Sequence, residues 1–173
     1  MNRYLAREIF HVALLGDSVF DNASYTNGQP DVISQVLLRA DVLERSVKSS
    51  GEAFGLLAEV TSQFEGQYRR AVSACLGQNL PLVVCTIYHG NFEDEVFRRR
   101  AVVALTLFND AIMRTAAENR LMVVDLRVIC NEPADYANPV EPSSIGGAKI
   151  ARAIVNAVTD SGPSGRGLRI VTV

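Results

Sequence analysis

The chain has 173 residues, 48% of them hydrophobic and 21% charged, with a formal net charge of −2. That length and apolar content fit one domain with a real core, and the lack of a basic excess argues against nucleic acid as a partner. The three cysteines, Cys75, Cys85 and Cys130, are far apart and belong to no CxxC or Cys/His cluster. This argues against a zinc site and suits small buried hydrophobes in a reducing compartment.

The apolar run from Val12 to Leu15 is far shorter than the ~18 residues a membrane span needs. It leads straight into Gly16-Asp17-Ser18 and so does not read as a signal peptide. The expectation is no membrane span and a cytoplasmic location. Residues 11–16 (HVALLG) instead read as a buried strand of a parallel sheet. Residues 20–30, rich in Asn, Gly, Ser and Asp, read as a loop or short helical turn.

Apolar residues at Val32, Val36, Leu37, Ala40 and Leu43 predict a helix over 31–45, followed by a break at 48–51. The clearest helix spans 52–76, with Leu57, Val60, Phe64, Tyr68, Ala71, Val72 and Cys75 on one stripe and Gly77 at the C-cap position. Residues 80–88 (LPLVVCTIY) form a second buried strand, with Pro81 near its start. Another amphipathic helix covers 93–119, with Phe97, Ala101, Ala104, Leu105, Phe108, Ile112 and Ala116 on its apolar face. A third strand covers 121–126 (LMVVDL), and 131–142 is a polar, proline-containing loop.

Ser143 or Ser144 caps a last helix running to about Val158, buried through Ile145, Ile150, Ile154 and Val158. Residues 160–167 (DSGPSGRG) read as a flexible start to a tail that runs to 173, outside a single domain over 1–159. Residues 168–173 (LRIVTV) read as a stray strand or a disordered end, and can pair at a sheet edge.

Strands alternating with long helices imply an α/β fold with a parallel sheet. Such folds bind ligands at the carboxyl ends of their strands. Ser18, His89 and the 131–142 loop all follow strands, so the pattern puts them at one crevice. A serine just past a strand can project its hydroxyl there, and a following helical turn aims backbone N–H groups at a developing oxyanion.

The string LLGDSVFDN, residues 14–22, closely resembles the nucleophile block of the SGNH/GDSL hydrolases, a family of lipase- and acylhydrolase-like enzymes. The resemblance implies a three-layer α/β/α sandwich of the flavodoxin-like kind. It implies ester hydrolysis through an acyl-serine at Ser18, a small-molecule ester as substrate, and no metal or organic cofactor. Asp17 can bond local amides to hold the turn. Asp21 and Asn22 can line the pocket or cap a short helix.

A second block, Asp135 to Ala151, matches the family's closing segment in its placement and its Pro-Ser…Gly-Gly helix entry. It departs at both catalytic points: Asn138 stands where the family has Asp, and Glu141 where it has His. A carboxylate with a pKa of ~4.3 is a far weaker base for a serine hydroxyl than an imidazole. Glu141 serves as base only if burial raises its pKa; otherwise it is a surface or helix-capping carboxylate. His89 is the alternative base, or a solvated loop histidine, whereas His11 opens the first strand and is structural.

The family's oxyanion-hole glycine and its GxND asparagine are not found. Asn109-Asp110 lies inside the 93–119 helix and reads as a solvated face. The spacing between 35 and 39 suggests a shortened sheet that lacks the family's second and third strands. Asp125, near the third strand's end, reads as a further acid without a partner. Arg98 to Arg100 reads as a solvated helix run. Two functions follow: a Ser18 ester hydrolase, or a catalytically impaired scaffold that binds a small ligand or a protein.

Overall fold

A computed structural model describes residues 45–159 and 169–172, which belong to one compact unit within residues 40–173. The expected first strand at 11–16, the GDS block with Asp17, Ser18, Asp21 and Asn22, and residues 31–44 of the first expected helix lie outside the described residues.

The described chain is mixed α/β. Helix α1 (Ser50–Leu76) leads to strand β1 (Val83–Cys85), helix α2 (Glu95–Asn119) and strand β2 (Met122–Val124). The short helix α3 (Leu126–Ile129), a 3-10 turn (Pro133–Asp135), helix α4 (Ser144–Thr159) and strand β3 (Arg169–Val171) follow. The strands form a parallel sheet in the order β1-β2-β3, with Val84 opposite Val123 and Val123 opposite Ile170. Of the two alternatives for residues 168–173, the strand is the one observed at Arg169–Val171. Both regular strands read at 80–88 and 121–126 are confined to their middle three residues.

Each helix starts where a side chain can satisfy its orphan N–H groups. Ser49 caps α1 by accepting from the Glu52 amide at 3.1 Å. Asp94 caps α2 by accepting from Val96 and Phe97. Ser143, rather than Ser144, caps α4, accepting from Ile145 and Gly146. Gly77 does occupy the C-cap of α1, but in right-handed backbone; the left-handed residue after it is Asn79, with φ of 56°.

The core forms where α1 and α2 cover one face of the sheet. Val72 from α1, Val84 from β1, Ile112 and Ala116 from α2 and Val123 from β2 are buried together, with Phe64 and Tyr68 packed against them. Val123 and Val124 point to opposite faces of β2, and both are fully buried, so both faces of the central strand are covered. The α2 face is as expected. Two other stripes need correction: Ala71 is exposed, and Ile145 is 53% exposed. Helix α4 buries Ile150 as expected, together with Gly146, Ala153 and Ala157 in place of Ile145, because a row of small residues lets the helix approach closely.

Ion pairs lace α1 to α2. Glu65 accepts from Arg114 at 2.8 Å and from Arg69, and Arg69 also bonds Glu118. The Arg114 and Arg69 bonds hold the Glu65 carboxyl down at about 2.

Candidate functional site

Because β1 and β2 are parallel, their carboxyl ends share one edge of the sheet. Thr86 and Asp125 stand just past those ends and are 2% and 6% exposed. The Thr86 hydroxyl donates to Asp125 Oδ1 at 2.8 Å and accepts from the Leu126 amide at 2.9 Å. Arg127 closes on the same carboxylate, with Nε donating to Oδ1 at 2.8 Å and Nη2 to Oδ2 at 2.6 Å. Strand β3 reaches this point too, since the Asp125 amide donates to the Val171 carbonyl at 3.0 Å.

Asp125 is therefore not the unpartnered acid read from the sequence. A buried carboxylate needs a counter-charge and donors, and α3 supplies both within two residues. The Arg127 guanidinium holds the Asp125 carboxyl below the usual range, against the upward push of burial and with help from Thr86.

His89 lies in the loop that leaves β1, and its neighbours are tied on several sides. The Ile87 amide donates to Asn109 Oδ1 at 2.7 Å, and Asn109 Nδ2 donates back to the Ile87 carbonyl at 2.8 Å. The Tyr88 hydroxyl donates to the Val140 carbonyl at 2.6 Å, and the Tyr88 ring meets Tyr136 edge-on. The Asn91 amide donates to the Pro139 carbonyl at 2.8 Å. Gly90 has φ of 78°, and a Cβ there would lie 2.8 Å from the Pro139 oxygen, so only glycine fits.

The imidazole itself is partly buried, and no described residue hydrogen-bonds it. Burial lowers its pKa below the ordinary value; Arg127 lowers it further and Asp125 opposes. Near neutral pH the ring is uncharged, the form that accepts a proton.

Asn138 and Glu141 turn toward each other. Asn138 Oδ1 accepts from the Val140 amide at 3.0 Å and the Glu141 amide at 2.8 Å, and its Nδ2 donates to Glu141 Oε2 at 2.6 Å. The Ala137 amide donates to the Glu141 carbonyl, and Tyr136 bridges to Pro142, closing the turn. Both side chains are exposed. The two positions that depart from the SGNH pattern thus build a turn, and that turn is fastened to the His89 loop. Ser18, Asp17, Asp21 and Asn22 lie outside the described residues.

No family model, curated protein or solved structure matches this chain.

Sequence reasoning missed three members of this edge. Asn109 is 1% exposed, not a solvated residue, although its neighbour Asp110 is exposed as expected. Position 109 is four residues after Leu105 and three before Ile112, so it belongs to the buried stripe, and a polar residue there needs partners. Thr86 and Arg127 each follow an apolar strand run, where parallel sheets concentrate functional groups.

Away from these residues, Phe54, Leu57, Thr61 and Leu107 help line an open groove of about 340 Å³. Among the described residues, none of the sequence-predicted site residues lines it. Among the described residues, no His/Cys/Asp/Glu cluster could hold a metal ion, and no helix is long and apolar enough to cross a membrane.

Proposed function

We propose that the chain is an SGNH-like ester hydrolase, with Ser18 as nucleophile, on a three-layer α/β/α sandwich with a reduced sheet; among the described residues His89 is the candidate for the general base. One observation carries the choice of base: His89 follows a parallel strand at its carboxyl end, and its partly buried, uncharged imidazole is uncommitted among the described residues. Glu141 is exposed and engaged with Asn138, which favours His89 over it.

In this reading a general base takes the Ser18 hydroxyl proton as the oxygen attacks the ester carbonyl. It returns that proton to the departing alkoxide, leaving an acyl-serine. Water, deprotonated by the same base, then releases the acid, and the base returns its proton to restore Ser18. Backbone N–H groups around Ser18 stabilise the oxyanion. The reading calls for a small-molecule ester, and for no metal or cofactor.

The test is labelling of the full chain by a fluorophosphonate probe, with the modified peptide mapped by mass spectrometry. Labelling is expected at Ser18, lost in Ser18→Ala and slowed about 100-fold or more in His89→Gln. Labelling should fall on acidification with a midpoint below the ~6.5 of free imidazole, because protonation removes the base. Unchanged labelling in His89→Gln would reject the histidine as base. A folded wild type that takes no label would reject the enzyme.

That last outcome would favour the second reading, a catalytically impaired scaffold that binds a small ligand or protein. The mutual engagement of Asn138 and Glu141 favours it, since both positions then serve loop structure rather than proton transfer.

A further inference from the structure

We propose that Asn109 is the positioning residue for His89, a role that rests on the hydrolase reading above only for its catalytic consequence. Strand β1 ends at Cys85, and the amide of Thr86 still pairs with the Val124 carbonyl at 3.1 Å. One residue later, no described residue other than Asn109 pairs with the two backbone groups of Ile87, which lie in a partly buried place. The Asn109 carboxamide supplies the missing partner, offering an acceptor to the amide and a donor to the carbonyl.

A primary amide is the side chain suited to this task, because it carries donor and acceptor side by side as a peptide group does. Asn109 comes from the buried face of a 25-residue helix, so its own backbone is rigid. It therefore extends the sheet's pairing by one residue and fixes the direction in which the chain enters Tyr88 and His89. The next ties come from the Tyr88 hydroxyl to Val140 and from the Asn91 amide to Pro139, on the far side of His89. Both of those end on an exposed turn, whereas the Asn109 tie ends on the core.

The charged groups acting on the imidazole are Arg127 of α3 and Asp125 at the end of β2. Their effect depends on where the loop holds the ring. Loosening the loop exposes the ring and moves it from both charges; the relief of burial and the loss of Arg127 raise its proton affinity and outweigh the loss of Asp125, the smallest of the three influences.

The experiment follows the His89 imidazole and the backbone amides of the full chain by NMR, in wild type, Asn109→Ala and the milder Asn109→Ser. In Asn109→Ala we expect the His89 titration to move up toward that of free imidazole. Amide exchange at Ile87 and Tyr88 should quicken at least tenfold, while exchange at Val123 stays within twofold. Asn109→Ser, whose short hydroxyl cannot span both Ile87 groups, should shift the same way by less, and it carries the test if Asn109→Ala does not fold.

An unmoved His89 titration in a folded variant would overturn the proposal. So would faster exchange spread evenly over the sheet, which marks general destabilisation. If Ser18 of the wild type takes no fluorophosphonate while the His89 titration moves as expected, the hydrolase reading fails and the positioning role stands. If Ser18 is labelled with one pH profile in wild type and variant and the His89 titration does not move, the positioning role fails and the hydrolase reading stands.

Discussion

Gly146→Ala is expected to cost about 3 kcal/mol of stability, the upper end of ordinary overpacking. A Cβ at this position would lie 2.2 Å from the Asp135 carbonyl oxygen, 3.0 Å from its carbon and 3.2 Å from its Cα. All three atoms are backbone, so no side-chain rotation relieves the clash. The first turn of α4 would have to move off the 3-10 turn. That movement would strain the bond from the Ser143 amide to the same Asp135 oxygen, now 2.7 Å, and the Ser143 cap that starts the helix.

Gly147→Ala is the control. A Cβ there meets nothing within 4 Å, and alanine in a helix gains about 0.5–1 kcal/mol over glycine. Urea denaturation of the full chain should thus move the midpoint down for one substitution and up for its neighbour. Equal shifts of the two midpoints would show that the Asp135–Gly146 approach does not set the position of α4.

The Gly146-Gly147 pair shows how far local pattern reaches. The dipeptide was legible as a helix entry after Pro142-Ser143, and the helix is there. That one glycine is demanded by contact and the other is not depends on Asp135, eleven residues earlier, and on a turn with no periodicity. The same division runs through the fold. Helices α1 and α2 were legible because a 3.6-residue period repeats over six or seven turns and averages out single exceptions such as Ala71. The strands were legible as short apolar runs, but their regular parts are three residues each, because pairing depends on a neighbour's register.

Within the candidate site, His89 was legible as a loop residue after a strand. Its surroundings were not, since Asn109, Asp125, Arg127, Val140 and Pro139 come from four other segments. Asn109 was misread because a polar residue on a helix was assigned to solvent before its place on the stripe was weighed. Asp125 was misread because its partner lies two residues away, across a turn that no strand or helix period predicts.

Lys149→Met is expected to destabilise the fold near neutral pH, because it removes the counter-charge of a buried carboxylate. Asp135 is 0% exposed. Its Oδ2 accepts from the Asn131 and Glu132 amides at 3.1 and 3.0 Å, and Lys149 Nζ lies 2.7 Å from its Oδ1. Glu132 also reaches Lys149, at 3.2 Å, but from the exposed rim.

Burial alone would raise the Asp135 pKa; the lysine and the two amides outweigh it and hold the carboxyl below its ordinary value. The sign follows. In the wild type this group's contribution is fully present above the unfolded pKa of ~3.9 and is lost as pH falls through the lower folded value. In Lys149→Met the opposing charge is gone, burial dominates, and the folded pKa rises above the unfolded one. The carboxyl then prefers its proton, so the variant's deficit should be greatest near pH 8 and should shrink as pH falls toward 4. Adding Asp135→Asn to Lys149→Met removes the stranded charge and should recover part of the loss at pH 8 but little at pH 4. Thermal melts across that range read both effects. A deficit that stays constant with pH would mean that Lys149 contributes packing by its methylene stem rather than charge.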